Sequence, residues 1–325
     1  MKIQSAPRCG HSPVTAPPSG SGYIVPIRSH PFPMTRRLSL LLALGLPLAI
    51  AAAAPAVIID LGDGTGNTSA PSPDPGWDNV GSGNAGLSCV YLGNGWVLTA
   101  DHVGAGDSDF GGILYPWLPG TAVRLHNLDQ SNADLLMYRL AAPYPPLADL
   151  AIRSTAPAAG TSLVMIGNGR DRGAPTTWSG LDGYQWGAGA TKRWGKNVIE
   201  IESDFDPGLH THVFATDFDE SHPANSKNEA QGATGDSGGA VFAGSELAGI
   251  MIAVSFYVGQ PPQTSLYTNE TLAADLSVYR DEIVEMPEPA GGLWAGAALL
   301  AILASAGTRR ACRGTGCAAS SPRRA

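Results

Sequence analysis

One serine, Ser237, stands in the run Gln231-Gly-Ala-Thr-Gly-Asp-Ser-Gly-Gly-Ala-Val-Phe242, with Asp236 before it and Gly238 and Gly239 after it. All seven histidines of the chain, at 11, 30, 102, 126, 210, 212 and 222, precede it. A nucleophilic hydroxyl needs a base to take its proton, a third group to orient that base, and two backbone N–H groups aimed at the developing oxyanion. Glycines around the serine allow a tight turn and let a carbonyl approach the backbone without meeting a Cβ.

The motif Gly235-Asp-Ser-Gly-Gly239 also satisfies G-x-S-x-G, the strand-to-helix elbow of α/β-hydrolases. That fold takes its histidine from after the serine, so chain order excludes it here. The base must lie upstream.

Both ends shorten the 325-residue chain. Met34-Thr-Arg-Arg37 precedes an apolar run from Leu38 to Ala54 that ends in small residues, the anatomy of a secretory signal peptide. Residues 1–33, rich in Pro and Ser and without periodicity, read as a long n-region or as the product of a start assigned ahead of Met34. The expected N-terminal extension and signal therefore cover residues 1–56. Met286-Pro-Glu-Pro289 precedes an uncharged stretch, Ala290–Gly307, followed by Arg309, Arg310 and Arg313. That stretch is long enough to span a bilayer, and the arginines predict a cytoplasmic end. Pro-Glu-Pro, an apolar helix and then arginines resembles the PEP-CTERM sorting tail, and Gly291-Gly292 leaves open the related GlyGly-CTERM type. The resemblance implies an exosortase-type partner, a Gram-negative source, and a membrane helix at 290–307 within a tail at 287–325. The alternative is an unprocessed anchor.

Of 20 basic residues, five lie before position 38 and five after 308, whereas all 28 acids fall within Asp60–Glu288. The body thus carries about −18, a surface that repels phosphate backbones and excludes nucleic acid as a partner. Cys89 is the one cysteine of the body, so no disulfide can form inside it. Its apolar setting makes it a small buried hydrophobe.

The body reads as β. Cys89–Leu92, Trp96–Thr99, Leu135–Leu140, Leu163–Ile166, Val198–Ile201 and Leu247–Phe256 are short apolar or alternating runs separated by Gly, Asn, Asp and Pro. This spacing suits a sandwich or barrel. Leu272, Leu276, Tyr279 and Ile283 recur on one helical face near the end, and the Pro-rich Ala141–Pro157 is the candidate linker.

Among the histidines, His102 closes Gly95-Trp-Val-Leu-Thr-Ala-Asp-His102, where a buried strand turns into a polar segment that can hold a side chain rigidly beside a cleft. His126 and His222 read as surface or satisfied residues. His210 and His212 share a strand face and admit a zinc reading, without a third ligand at telling spacing. Asp134, in Asn132-Ala-Asp-Leu-Leu, is a carboxylate placed directly before an apolar strand.

With Trp96–His102, Ala133-Asp-Leu-Leu136 and Gly235–Gly239 in that order, the chain resembles the chymotrypsin/trypsin family of serine endopeptidases over about 85–286, and Tyr267-Thr268 before a terminal helix is similar too. The resemblance implies an all-β fold of two six-stranded antiparallel barrels, here 57–155 and 156–286 with the C-terminal helix, and a site in the cleft between them. It implies Ser237 as nucleophile, His102 as base, Asp134 as its orienter, the N–H groups of Gly235 and Ser237 as the oxyanion hole, and Asp236 as the anchor of the loop. A protein or peptide is then the substrate, no cofactor or catalytic metal is required, and the rival reading is a non-catalytic extracellular matrix or adhesion protein on the same fold.

Three departures qualify the likeness. Gln231 stands where trypsin-like members carry the pocket Asp, so preference for a basic residue at P1 is unsupported. Gly249–Ser255 replaces the usual Ser-Trp-Gly. No basic residue lies between Arg37 and Arg124, which rules out tryptic activation there; a signal cut after Ala56 would instead expose Val57-Ile58-Ile59 as the amino terminus. Finally, Asp204/Asp206 and Asp217/Asp219/Glu220 are oxygen-rich loops that would admit a structural calcium ion, against the plainer reading of solvated surface.

Overall fold

The computed structural model describes residues 57–220 and 228–286, together with the backbone of 23–26. The rest of the signal segment and the tail, including 290–307, lie outside the described residues, as does His222. Among the described residues no helix is long and apolar enough to cross a membrane. The described residues through Ile283 form one compact unit.

In chain order the strands begin with β1 (Tyr23–Pro26), β2 (Ile58–Ile59) and β3 (Val80–Ser82). They continue with β4 (Ser88–Gly93), β5 (Trp96–Thr99), β6 (Ser108–Phe110), β7 (Ile113–Tyr115), β8 (Val123–His126) and β9 (Asn132–Arg139). Strands β3–β9 make a seven-stranded antiparallel sheet in the order β7-β6-β3-β4-β5-β9-β8. Within it lies β5, whose Val97 and Leu98 are fully buried between β4 and β9. Cys89, Tyr91, Val97, Phe110, Tyr138 and Leu140 pack on one face as its core. The Cys89 thiol is buried there and unpaired by any disulfide.

The second half holds β10 (Ser162–Gly167), β11 (Arg172–Trp178), β12 (Leu181–Trp186), β13 (Arg193–Val198), β14 (Ile201–Asp206) and β15 (Thr211–Asp217). It ends with β16 (Ala230–Gln231), β17 (Ala240–Ala243), β18 (Glu246–Phe256), β19 (Thr264–Leu266), β20 (Glu270–Asp275) and the helix α1 (Leu276–Val284). The large sheet runs β13-β10-β17-β18-β20-β15-β14, and β1 pairs antiparallel with the far end of β18, Tyr23 opposite Phe256 and Pro26 opposite Ala253. Separate ladders join β11-β12-β19 and β2-β16.

Two six-stranded barrels are therefore not what forms. Sheets of seven and eight strands curl at bulges, as at Val241/Phe242 and Met251/Ala253, yet among the described residues β7 does not pair with β8, nor β13 with β14. A bulge increases twist locally without bringing end strands together. The run Val198–Ile201 is also not one strand. It is the corner between β13 and β14, because Ile199 turns fully inward and exchanges main-chain hydrogen bonds with Gly160 and Thr161.

The helical face starts later than its periodicity suggests. Leu272 belongs to β20, where β15 and β18 occupy the backbone on both sides, and the helix opens only after the Asp275 carboxylate accepts the Ser277 N–H. Leu276, Tyr279 and Ile283 then bury as expected. The Pro-rich segment 141–157 holds no strand but is pinned to both halves, through Leu150 N–H on Leu92 O (3.0 Å) and the Ile152 bridge to Leu247.

Candidate active site

The strand β5 ends at Thr99, and the chain turns through Ala100–Val103, closed by Val103 N–H on Ala100 O at 3.0 Å. His102 is thereby carried on a rigid corner. Its main-chain N–H donates to Oδ1 of Asp134 (3.0 Å), and its Nδ1 meets Oδ2 at 2.7 Å. Both side chains are largely shielded, 16 and 13 % exposed. An ionised carboxylate only accepts, so Nδ1 carries the proton and Nε2 is left as an acceptor. Asp134 sits near the start of β9, and its own N–H donates to Thr211 Oγ of β15 at 2.8 Å, tying the first sheet to the second. Asp101 beside it is raised by burial, which the Arg124 guanidinium at 3.2 Å partly offsets.

Ser237 lies in the loop between β16 and β17 and is 2 % exposed. Gly238 N–H donates to Met251 O (2.8 Å) and Met251 N–H to Gly239 O (2.9 Å), so β18 backs the loop. Gly238 has φ +85, and a Cβ there would lie 2.0 Å from Ser88 O and 2.2 Å from Thr99 Oγ. The residue after Ser237 thus sits against the start of β4 and the end of β5, the strand that leads to His102. Gly235, at φ +104, adopts backbone that suits glycine. Among the described residues no hydrogen bond uses the N–H of Gly235 or of Ser237. Ser237 Oγ and His102 Nε2 are likewise buried without a partner.

Asp236 is 1 % exposed and its carboxylate accepts N–H groups of Gly169 (2.8 Å), Ala233 (2.8 Å) and Val57. Burial nevertheless pushes its pKa up to about 7. Val57, Ile58 and Ile59 are fully buried, with Ile58 and Ile59 paired to Gln231 and Ala230. This segment is held from outside. Arg172 donates to the carbonyls of Ile59, Asp60 and Gly62 while lying 4.2 Å over the Tyr184 ring, and Arg193 donates to those of Thr65 and Gly66. Asp60 accepts the hydroxyls of Tyr184 (2.7 Å) and Tyr267 (2.6 Å). Gln231 is 1 % exposed, and its Oε1 has no partner.

The remaining candidates go elsewhere. His126 pairs with Glu282 at 2.9 Å on the surface. His210 and His212 pack edge-on against Phe205, and among the described residues no group of three His, Cys, Asp or Glu side chains could hold a metal ion. The acidic groups expected in loops lie instead on strands, Asp204 and Asp206 in β14 and Asp217 at the end of β15, and are used locally: Asp204 accepts the Phe205 N–H, and Asp206 those of Gly208 and Leu209. Asp217 is raised to about 6 by burial and then by Glu270, Asp219 and Glu200.

The sequence profile of the Trypsin family matches residues 78–276, which contain His102, Asp134 and Ser237. The chain belongs to the Trypsin family. It carries a trypsin-like serine protease domain, mostly β with one terminal helix. Among solved structures it is similar to neuropsin from mouse brain (17 % identity, 68 % of this chain and 97 % of that one, TM-score 0.46). It is also similar to the inactive form of the Rv3671c protease of M. tuberculosis (14 % identity, 65 and 89 % covered, TM-score 0.40) and to kallikrein-related peptidase 10 in complex with Zn2+ (15 % identity, 64 and 93 % covered, TM-score 0.40). No curated protein matches the chain.

Proposed function

We propose that this trypsin-family protein is an exported serine endopeptidase. Ser237 attacks the scissile carbonyl, His102 Nε2 takes the proton and returns it to the leaving amine, and Asp134 holds the ring and stabilises its charged form. The acyl-enzyme on Ser237 is then released by water. The observation that carries the reading is the pair of hydrogen bonds from His102 to Asp134, one from the ring and one from the main chain, which fixes one tautomer with Nε2 free. The unused N–H groups of Gly235 and Ser237 would bind the oxyanion, a donor of this kind contributing about 3 kcal/mol. An uncharged P1 residue suits the pocket, since Gln231 supplies a neutral amide with an unsatisfied oxygen.

Export, the cut after Ala56 and removal of the tail by an exosortase-type enzyme complete the proposal, with the helix at 290–307 holding the chain in a Gram-negative membrane until then. The buried Val57 beside Asp236 supports the cut, because an α-ammonium placed there would neutralise the buried carboxylate.

The test is intact-mass analysis after incubation with a fluorophosphonate, wild type beside Ser237→Ala. One adduct on the wild type and none on the variant is the expected result. No adduct on a folded, Val57-starting protein would overturn it and favour the non-catalytic matrix or adhesion reading.

A further inference from the structure

Ser88 opens β4 and is fully buried. Its main-chain N–H and its hydroxyl both point at one atom, the carbonyl oxygen of Gly235, at 3.1 and 2.9 Å. The same hydroxyl oxygen accepts the main-chain N–H of Asn168 at 2.8 Å, and the Ser88 carbonyl accepts the Thr99 hydroxyl at 2.9 Å. One residue therefore touches the strand leading to His102 through its carbonyl, and through its hydroxyl the turn after β10 and the loop that holds the nucleophile.

The peptide it grips is the one that needs gripping. Gly235, at φ +104, has the conformational freedom of glycine, and rotation about it would turn its N–H relative to the peptide that follows. The peptide from Gly235 to Asp236 is fixed at its N–H end by Ala233 O (3.0 Å) and at its carbonyl end by Ser88. The next peptide is fixed by Gly239 N–H on Asp236 O (2.7 Å). With both carbonyls tied back, the N–H groups of Gly235 and Ser237 are the ones left to face a ligand. Burial strengthens the arrangement, since an unmade hydrogen bond in a dry interior costs more than one at the surface.

We infer that Ser88 is a positioning residue for the oxyanion site: its hydroxyl clamps the Gly235 carbonyl and so holds the loop's free N–H groups in the orientation that stabilises transition-state charge. This rests on the serine endopeptidase reading above. Ser88 touches no substrate. Its effect belongs to the chemical step and not to ground-state binding.

The experiment follows fluorophosphonate inactivation of the folded, Val57-starting protein as a function of probe concentration, separating the binding constant from the limiting rate. In this reaction Ser237 Oγ bonds to phosphorus, fluoride leaves, the proton passes to His102, and the phosphonyl oxygen takes the oxyanion position. Ser88→Ala is expected to lower the limiting rate about 10-fold, less than deletion of a direct donor, with the binding constant unchanged. Ser88→Thr, which keeps the hydroxyl, is expected to restore most of that rate. Thr99→Val removes a hydrogen bond from the same cluster without touching Gly235, so it is expected to lower the melting temperature while leaving the limiting rate as in wild type. If Ser88→Ala lowers only the melting temperature, as Thr99→Val does, the inference is overturned. If Ser88→Ala does not fold, Ser88→Thr and Ser88→Cys decide: both matching wild type in rate, although thiol is the weaker donor, overturns it equally. A wild type that never reacts would instead overturn the endopeptidase reading itself.

Discussion

The Asp236 carboxyl ties stability to pH in a direction opposite to that of most acids. Burial raises it from 3.8 to about 7, with the N–H groups of Ala233, Gly169 and Val57 pulling the other way. At 1.36 kcal/mol per pH unit, that distance corresponds to about 4 kcal/mol of preference for the protonated form in the folded chain. The folded value lies above the unfolded one, so the folded state binds a proton that the unfolded state has released. Stability from this group is complete below about pH 4, declines as pH rises and levels off above about pH 7. Asp236→Asn stays neutral throughout. It exchanges one acceptor facing an N–H for a donor, a cost of about 1–3 kcal/mol that does not vary with pH. Urea unfolding of the chain extended upstream of Val57 should therefore give a wild-type-minus-variant difference that falls by about 4 kcal/mol between pH 4 and pH 8. Taking the difference cancels Asp217, which is raised to about 6 and slopes in the same sense. A flat difference would refute the reasoning. In a chain that begins at Val57 the α-ammonium favours the ionised carboxylate, and the downward slope is expected to vanish.

Asp134→Asn should leave the fold intact and reduce turnover on the order of 10⁴-fold, because an amide at Oδ2 no longer selects the tautomer with Nε2 free; steady-state kinetics on any cleaved peptide would check it. Gly238→Ala should prevent the loop from forming, since its Cβ would lie 2.0 Å from a backbone oxygen at φ +85; loss of cooperative melting is the readout. The Cys89 thiol, fully buried and pushed up to about 12 by that burial, should resist iodoacetamide at pH 8 in the folded protein and react at once in urea.

Much of the site was readable because its chemistry demands residue types in a fixed order. Once Ser237 had no histidine after it, His102 at the end of a buried strand and Asp134 at the start of another were the partners left with the right setting, and the structure puts those two in contact. Strands with strong apolar runs, such as β4, β5, β9 and β18, were legible for the same reason. The hairpin β11–β12 was not. It is half exposed and lacks an apolar run, although Ser179-Gly180, both at positive φ, are the two-residue turn that could have marked it. Ser88 left no signal at all, since a serine before an apolar run reads only as the start of a strand. That the sheets of the described residues stay open instead of closing into barrels was likewise beyond reach, because it depends on bulges and on which edges meet, neither of which periodicity records. Asp60 joins Tyr184 and Tyr267 through its carboxylate, and the two arginines hold the segment after Val57 through backbone carbonyls; both link residues far apart in the chain, to which sequence pattern is blind.

That clasp also sets a timetable. Asp60 and Tyr267 are 207 residues apart, and Ile58 and Ile59 cannot pair until Ala230 and Gln231 exist. A chain growing from its amino end must carry its buried Val57 segment unpartnered through almost the whole of synthesis, and long-range closures of this kind come late and slowly. The pocket around Asp236 is thus among the last parts of the molecule to assemble. A truncated or half-made copy lacks the strands that shape the loop around Ser237, so that loop takes its final form only when the last strands are in place.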